Sequence, residues 1–350
     1  MTQQTEDSGG DIGRALVADM EQITWDRIGE MTLENARRNL EHVSKGRSLA
    51  ALRGVPIKNA DSAIVIAAGP SIKRKNPLGL IKEHGYDGAV VATESAINYC
   101  LRNDVVPDLI VSLDPHAARI VRWFGDPNLT RERLDGDDYY RRQDMDETFA
   151  DEVKHNTELL ALLDEHGHKM RIALATSASG EVVDRALSVG MEIYWWNPML
   201  DDPDLPDSRT RELHRMNGLP CVNAGGNVGA AAWMLSHAVL GKKHVAVTGM
   251  DFSYYDDTPY ENTQYYHEAV ALVGEENLAR VYIRIHNPHI QQWYYSDPAY
   301  MWYREAFLEM AEDAECRTYN CTEGGILFGD NIDFIPLKEF LERMAVNSTL

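Results

Sequence analysis

Short apolar runs alternate with glycine-rich or polar turns through the middle of the chain. Residues 62–68, 88–93, 108–113 and 171–176 each have the length and the apolar, Val-, Ile-, Leu- and Ala-rich content of a strand buried on both faces, and the aromatic run 191–196 reads as another strand. Helical patterns follow several of them, at 77–84, 94–102 and 180–189. The stretch from Cys221 to Phe252 repeats the scheme with an added glycine turn. Gly225, Gly226 and Gly229 precede or open a helix whose apolar face is Val228, Ala231, Ala232, Leu235 and Val239. A buried strand from His244 then ends in a loop that begins with Asp251. This alternation predicts an α/β fold, a Rossmann-like and mostly parallel sheet with flanking helices.

The ends of the chain read differently. Residues 1–10 are polar and are expected to be disordered. Residues 11–44 carry Leu16, Met20, Ile23, Ile28, Met31, Leu33 and Leu40 at helical spacing, with Thr32 as an N-cap for the second half. That helical extension packs on the main domain or forms an oligomer contact. Residues 45–58 read as a connection and 123–138 as a loop. Residues 139–166 read as a charged helix burying Phe149, Val153, Leu159, Leu160 and Leu163. An acidic, proline-rich loop at 197–207 leads back to the glycine turn. Beyond Asp251 the composition turns aromatic, with Tyr254, Tyr255, Tyr260, Tyr265, Tyr266, Trp293, Tyr294 and Tyr295 close together. Such a loop-rich segment suits a lid or a substrate wall, and equally an aromatic satellite core. A helix at 299–314, a strand at 317–320, a turn at 323–325 and a closing helix at 337–344 complete the pattern. The expected division is an N-terminal helical extension (1–58), a nucleotide-binding core (59–255), and an aromatic lid or acceptor segment with closing helices (256–350).

Composition narrows the class of ligand. The 350 residues are 44% hydrophobic and 25% charged, ordinary for a soluble globular protein. The formal charge of −21 disfavours nucleic acid and anionic membrane as partners, and equally suits a salty milieu or solubility. Cys100, Cys221, Cys316 and Cys321 are scattered in a way that argues for reduced thiols rather than a zinc site. No stretch reads as a signal peptide or a membrane span, so a cytoplasmic location is expected.

In an open parallel sheet, ligands gather at the carboxyl ends of the strands. Four polar features fall there: Gly69-Pro70-Ser71, Thr93-Glu94-Ser95, Asp114 and Asp251. The turn containing Asn223, Gly225, Gly226 and Asn227 lies beside them at a helix N-terminus, where backbone N–H groups favour an anion. Neither turn is a Walker sequence and Gly-x-Gly-x-x-Gly is absent, which disfavours a conventional NAD site. Asp114 and Asp251 can hold a magnesium ion between them, bind ribose hydroxyls, or simply cap turns. His267 stands in an aromatic, acidic segment where an imidazole can act as general base or acid. His286 and His289 have loose metal-ligand spacing without a third ligand.

Taken in order, these residues resemble the MptE-like family. That family joins archaeal 6-hydroxymethylpterin diphosphokinase to the Maf motility-accessory glycosyltransferases, and its core is similar to bacterial sialyltransferases that use CMP-activated sugars. The resemblance rests on residues 64–72, 106–115, 224–229, 247–252 and 319–325, and spans roughly 60–330. It implies nucleotide binding at both glycine turns. It also implies that Tyr254 and Tyr260 steady a leaving phosphate and that His267 acts as base. Two departures stand out. Ala68 replaces an asparagine that the sialyltransferases often carry, and Ser112-Leu113-Asp114-Pro115 replaces the Asp-Leu-Asp-Gly of the pterin kinases. The second departure points towards the Maf side.

The expectation is therefore a nucleotide-dependent transferase. Its leading form moves a CMP-linked nonulosonic sugar to a hydroxyl acceptor, with His267, Asp251, Tyr254 and Tyr260 at the reaction and no metal or other cofactor required. The alternative is a diphosphokinase using ATP and magnesium held by Asp114 and Asp251, and a third reading is a non-catalytic nucleotide-binding or scaffold protein. A homo-oligomer fits any of these.

Overall fold

The computed structural model describes residues 9–58, 60–117, 123–130, 132 and 156–347. The expected disorder at 1–10 and the charged helix at 139–166 fall largely outside that set, as do residues 131 and 133–138 of the loop expected at 123–138. Of the helix, Asn156–His166 is described and buries Leu159 and Leu163.

Thirteen strands are seen among the described residues: β1 (Arg47–Ser48), β2 (Ser62–Ile66), β3 (Ala89–Thr93), β4 (Leu109–Ser112), β5 (Arg171–Ala175), β6 (Glu192–Pro198), β7 (Cys221–Val222), β8 (His244–Thr248), β9 (Tyr254–Tyr255), β10 (Ile283–Asn287), β11 (Gln292–Ser296), β12 (Arg317–Asn320) and β13 (Ile332–Phe334). Nine form one sheet in the order β1-β6-β5-β4-β3-β2-β8-β12-β13, with β7 paired to β6. Every pairing in it is parallel. Every residue of β2 and β3 is buried, because helices cover both faces. Alternate residues divide between the two cores. Ala63, Val65, Val91 and Val111 join the cluster under the Val228–Ala238 helix, and Ile64, Ile66, Val90 and Ala92 pack with the Leu337–Asn347 helix. Ala230, Ala231 and Ala232 are fully buried, so small side chains let the Val228–Ala238 helix settle closely on the sheet.

The strand order places a topological switch point. From β2 the chain builds outward through β3, β4, β5 and β6, whereas β8, β12 and β13 extend the other way. The crevice between the carboxyl ends of β2 and β8 is where such sheets bind ligands. There Ala67 N–H donates to the Thr248 carbonyl at 3.0 Å, and Gly69 N–H to the Gly249 carbonyl at 2.8 Å.

Several expectations need correction. Thr32 is no cap: it is buried inside the continuous Met20–Asn39 helix. Residues 45–58 are more than a connection, since β1 pairs with the edge of β6 and Leu49 and Leu52 are buried in the core. A helix at Arg209–Asn217 follows the acidic loop, capped by the Ser208 hydroxyl, which accepts from Arg211 N–H. Its buried residues are Thr210 and Leu213, too few apolar positions to show a periodicity. The aromatic segment is less loop-like than expected. β9, β11 and β10 form a separate antiparallel sheet, and the Tyr266–Val273 and Pro298–Glu312 helices flank it. Tyrosines 254, 282 and 295 form a satellite core with Tyr260 and Tyr300 packed against it. The main sheet thus takes β1 from residues 1–58 and β12 and β13 from residues 256–350, as well as the strands between.

The N-terminal helix is hooked onto the carboxyl end of the sheet by side-chain amides. Asn35 Nδ2 donates to the Pro115 carbonyl at 2.9 Å and to the Ser177 carbonyl at 2.8 Å, while Asn39 Nδ2 reaches the carbonyls of Thr176 and Ala178, each at 2.8 Å. At the other end Gly10 N–H donates to the Ala279 carbonyl and Asp11 pairs with Arg280. The extension therefore spans from β5 to the segment beyond Asp251. No helix among the described residues is long and apolar enough to cross a membrane.

Candidate functional site

A cavity of about 690 Å³ opens at the switch point. Its floor is the pair of turns that end β2 and β8. Gly69 is required there: a Cβ on it would lie 2.2 Å from Asp251 Oδ2 and 2.4 Å from the Gly249 carbonyl oxygen. The turns are joined further by Ser71, whose hydroxyl donates to Asp251 Oδ2 at 2.7 Å and whose N–H donates to the same oxygen at 3.3 Å. Asp251 is buried, and its Oδ1 has no hydrogen-bond partner. Burial pushes its carboxyl up to about 7, against the Ser71 bonds and the Arg74 charge, which favour ionisation.

The second glycine turn forms an adjoining wall. Asn227 caps the Val228–Ala238 helix, its Oδ1 accepting from Ala230 N–H at 2.9 Å while its Nδ2 donates to the Gly225 carbonyl at 3.0 Å. Asn223 Oδ1 accepts from Gly225 N–H. Gly225 and Gly226 have φ of 52° and 74°, and a Cβ on Gly226 would meet the Trp302 ring at 2.5 Å. The aromatic segment therefore packs directly on this turn. Gly226, Asn227, Val228 and Gly229 line the cavity, so the helix presents its positive end to it.

At the ends of β3 and β4, Glu94 is buried and holds the next loop in place. It accepts from the Ser112 hydroxyl, from Leu113 N–H at 3.1 Å and from Asp114 N–H at 3.2 Å. Burial and the neighbouring Asp114 charge push its carboxyl up to about 8. Thr93 Oγ1 and Ser95 Oγ are 3.1 Å apart, and Asp114 Oδ1 accepts from His116 N–H at 2.8 Å. Tyr254 closes the opposite side. Its hydroxyl donates to Asp297 Oδ2 at 2.9 Å and accepts from Gln264 N–H at 3.1 Å. Burial raises the Tyr254 phenol well above its ordinary value and pushes the Asp297 carboxyl up to about 6.

The structure thus gathers most of the residues singled out in the sequence. Gly69, Pro70, Thr93, Glu94, Ser95, Asp114, Gly226, Asn227, Asp251 and Tyr254 line one cavity, with Ser71 bonded to Asp251 and with Asn223 and Gly225 shaping the second turn. Two lie elsewhere. His267 is exposed on the Tyr266–Val273 helix, with its ring against Tyr266. Tyr260 stacks on Tyr282 at 4.3 Å between ring centroids and does not line the cavity. Others went unread. Lys73 and Arg74 place cationic side chains on the cavity wall, and the Arg74 guanidinium also lies 3.8 Å over the Tyr255 ring. Asp297 had a visible signal: Asp-Pro before a helical pattern is an N-cap signature, and Asp297 Oδ1 does accept from Tyr300 N–H at 2.8 Å.

A parallel-sheet α/β protein with a cavity at its switch point, polar at the strand ends, is the class that fold and site define. Residues 34–125, about a quarter of the chain, match the family model described as "6-hydroxymethylpterin diphosphokinase MptE-like". That segment carries the Gly69 turn, Thr93, Glu94, Ser95 and Asp114. Among solved structures, a Maf glycosyltransferase from Magnetospirillum magneticum AMB-1 is similar over 89% of this chain, at 12% identity and a TM-score of 0.49. The similarity covers 42% of that protein, so this chain spans less than half its length. No curated protein matches the sequence.

Proposed function

We propose that the protein is a nucleotide-dependent transferase that moves a CMP-linked acidic nine-carbon sugar to a hydroxyl acceptor. The observation that carries this reading is the convergence of the Gly69 turn, the Asn227-capped helix and Asp251 on one cavity at the switch point. The donor phosphate lies between the helix N-terminus and Lys73 and Arg74, where backbone N–H groups and cations offset its charge. Tyr265, a phenol kept neutral by burial on the cavity wall, donates a hydrogen bond as charge builds on the leaving phosphate, while Tyr254 is held by its own bond to Asp297. The acceptor hydroxyl loses its proton as its oxygen bonds to the sugar carbon and the bond to the phosphate oxygen breaks. Asp251, with a carboxyl near neutrality, takes that proton. His267, exposed outside the cavity, has no part in this geometry.

A second reading is favoured by the description of the matched family: diphosphate transfer from ATP to a hydroxymethylpterin. Magnesium would then be held by Asp114 and Asp251 together with the donor phosphates, and would neutralise charge on the transferred group. The donor set is compatible, since both carboxylates line the cavity and the unpartnered Asp251 Oδ1 is an acceptor that a cation would satisfy. Among the described residues, no three His, Cys, Asp or Glu side chains gather closely enough to hold a metal by themselves.

Thermal-shift measurements with CMP, CTP, ATP, GTP and UDP, each with and without magnesium, separate the two. The glycosyl reading expects CMP to raise the melting temperature without magnesium, and Gly69→Ala to abolish that rise. A shift with ATP and magnesium but none with CMP would replace it with the kinase.

A further inference from the structure

The cavity extends well past the turns. Its far end is walled by Leu16, Met20, Ile23 and Ile28 from the N-terminal helices and by Leu272 and Val281 from the segment after Asp251. A helix of a soluble protein ordinarily sinks such a stripe in its core. Here Ile23 stays 39% exposed and Leu272 54%, in a chain whose net charge is −21. The charged side chains that the Met20–Asn39 and Tyr266–Val273 helices contribute to the wall, Arg27 and Glu268, pair with each other at 2.7 Å. Ile23 lies one helical turn before Arg27 and Leu272 one turn after Glu268, so the ion pair sets both apolar side chains at one rim. Apart from Thr24, the wall that these two helices contribute is therefore apolar and carries no net charge, and it lines the same cavity as the turns.

We propose that this end of the cavity seats the aliphatic tail of the acceptor, and that the acceptor is an alcohol borne on a hydrocarbon chain. The assignment of the hydroxyl rests on the transferase reading above; the tail site rests on the wall alone. A polyol or charged acceptor would leave its polar groups without partners against Leu16, Met20 and Ile28. A methylene moved from water onto this wall gains about fourfold in affinity. The acidic surface disfavours docking on an anionic bilayer, so the tail enters as a single chain.

Calorimetric titration of the full chain with n-alkan-1-ols from 1-butanol to 1-decanol, with and without CMP, tests this. Affinity should rise about fourfold per added methylene until the wall is filled, then level off. Ile23→Asp and Leu272→Glu, both at exposed positions that tolerate a charge, should flatten the series and leave the CMP response intact. Binding without chain-length dependence, or equal binding of a polyol, would overturn the proposal. So would sedimentation showing a wild-type dimer that Leu272→Glu converts to monomer, since the wall would then be an interface between copies. Loss of the CMP response with the chain-length series intact would instead remove the nucleotide reading and leave the tail site standing.

Discussion

A carboxyl group buried in the floor of the cavity holds its proton far above the pH at which free aspartate loses it. For Asp251 the ordinary value is 3.8 and burial pushes it up to about 7. Between those values the folded chain binds a proton that the unfolded chain has released, so this residue's contribution to stability falls as pH rises through that window. At roughly 1.4 kcal/mol per unit, the loss amounts to a few kcal/mol by about pH 8. Asp251→Asn keeps an oxygen that can accept from Ser71 and has nothing to titrate. Urea unfolding at a series of pH values should therefore show the variant gaining on the wild type by a few kcal/mol from acid to neutral pH. Parallel curves would mean that Asp251 is ionised in the fold. Asp251 and Gly69 were legible in the sequence because each follows an apolar strand, where backbone geometry and ligand position are tied together. Arg74 was not, since its place depends on the Tyr255 ring beneath it, on a different strand. Tyr260 was selected by its position after a motif, and in the fold it stacks on Tyr282 instead.

Elements buried on both faces were the easiest to read. β2 and β3 are continuous apolar runs because helices cover both sides of the sheet, and periodicity needs no further help there. β11 was hidden because Trp293, Tyr294 and Tyr295 are aromatic whichever face they take, which erases the alternation. The N-terminal helix was visible, whereas its attachment was not, since a buried asparagine has no sequence signature. Asn35 illustrates the point: it donates to the carbonyls of Pro115 and Ser177 and accepts from Arg38 at 2.9 Å. Asn35→Ala leaves two carbonyls short of a donor and should cost about 1–3 kcal/mol. Asn35→Asp should cost more at neutral pH, because it sets carboxylate oxygens against those same carbonyls. Hydrogen exchange should rise first in the Met20–Asn39 helix, whose hooks to the sheet are weakened. If Asn35→Asp were the milder change, the amide's orientation would be the reverse of that described.

At the scale of the molecule, acidity was plain in the sequence while the strand order was not. That two polar turns face one crevice follows from β8 pairing with β2, a contact between residues nearly two hundred positions apart that no local pattern encodes. The charge has a consequence of its own. With 55 acidic against 34 basic residues, self-repulsion opposes folding, and salt screens it. Salt also weakens attractive pairs, but those among the described residues are largely exposed, as Lys243 with Asp61 and Arg284 with Asp256 are. Exposed pairs contribute about 0–1 kcal/mol each, so their loss is small beside the relief of a −21 excess. Raising sodium chloride from about 0.05 M to about 1 M, which shortens the screening length to roughly 3 Å, should therefore raise the urea midpoint. The same screening lowers the long-range barrier to an anionic donor, so the association rate of CMP should also rise with salt over its lower range. A midpoint that falls steadily as salt is added would show that local ion pairs, not net repulsion, govern the stability of this fold.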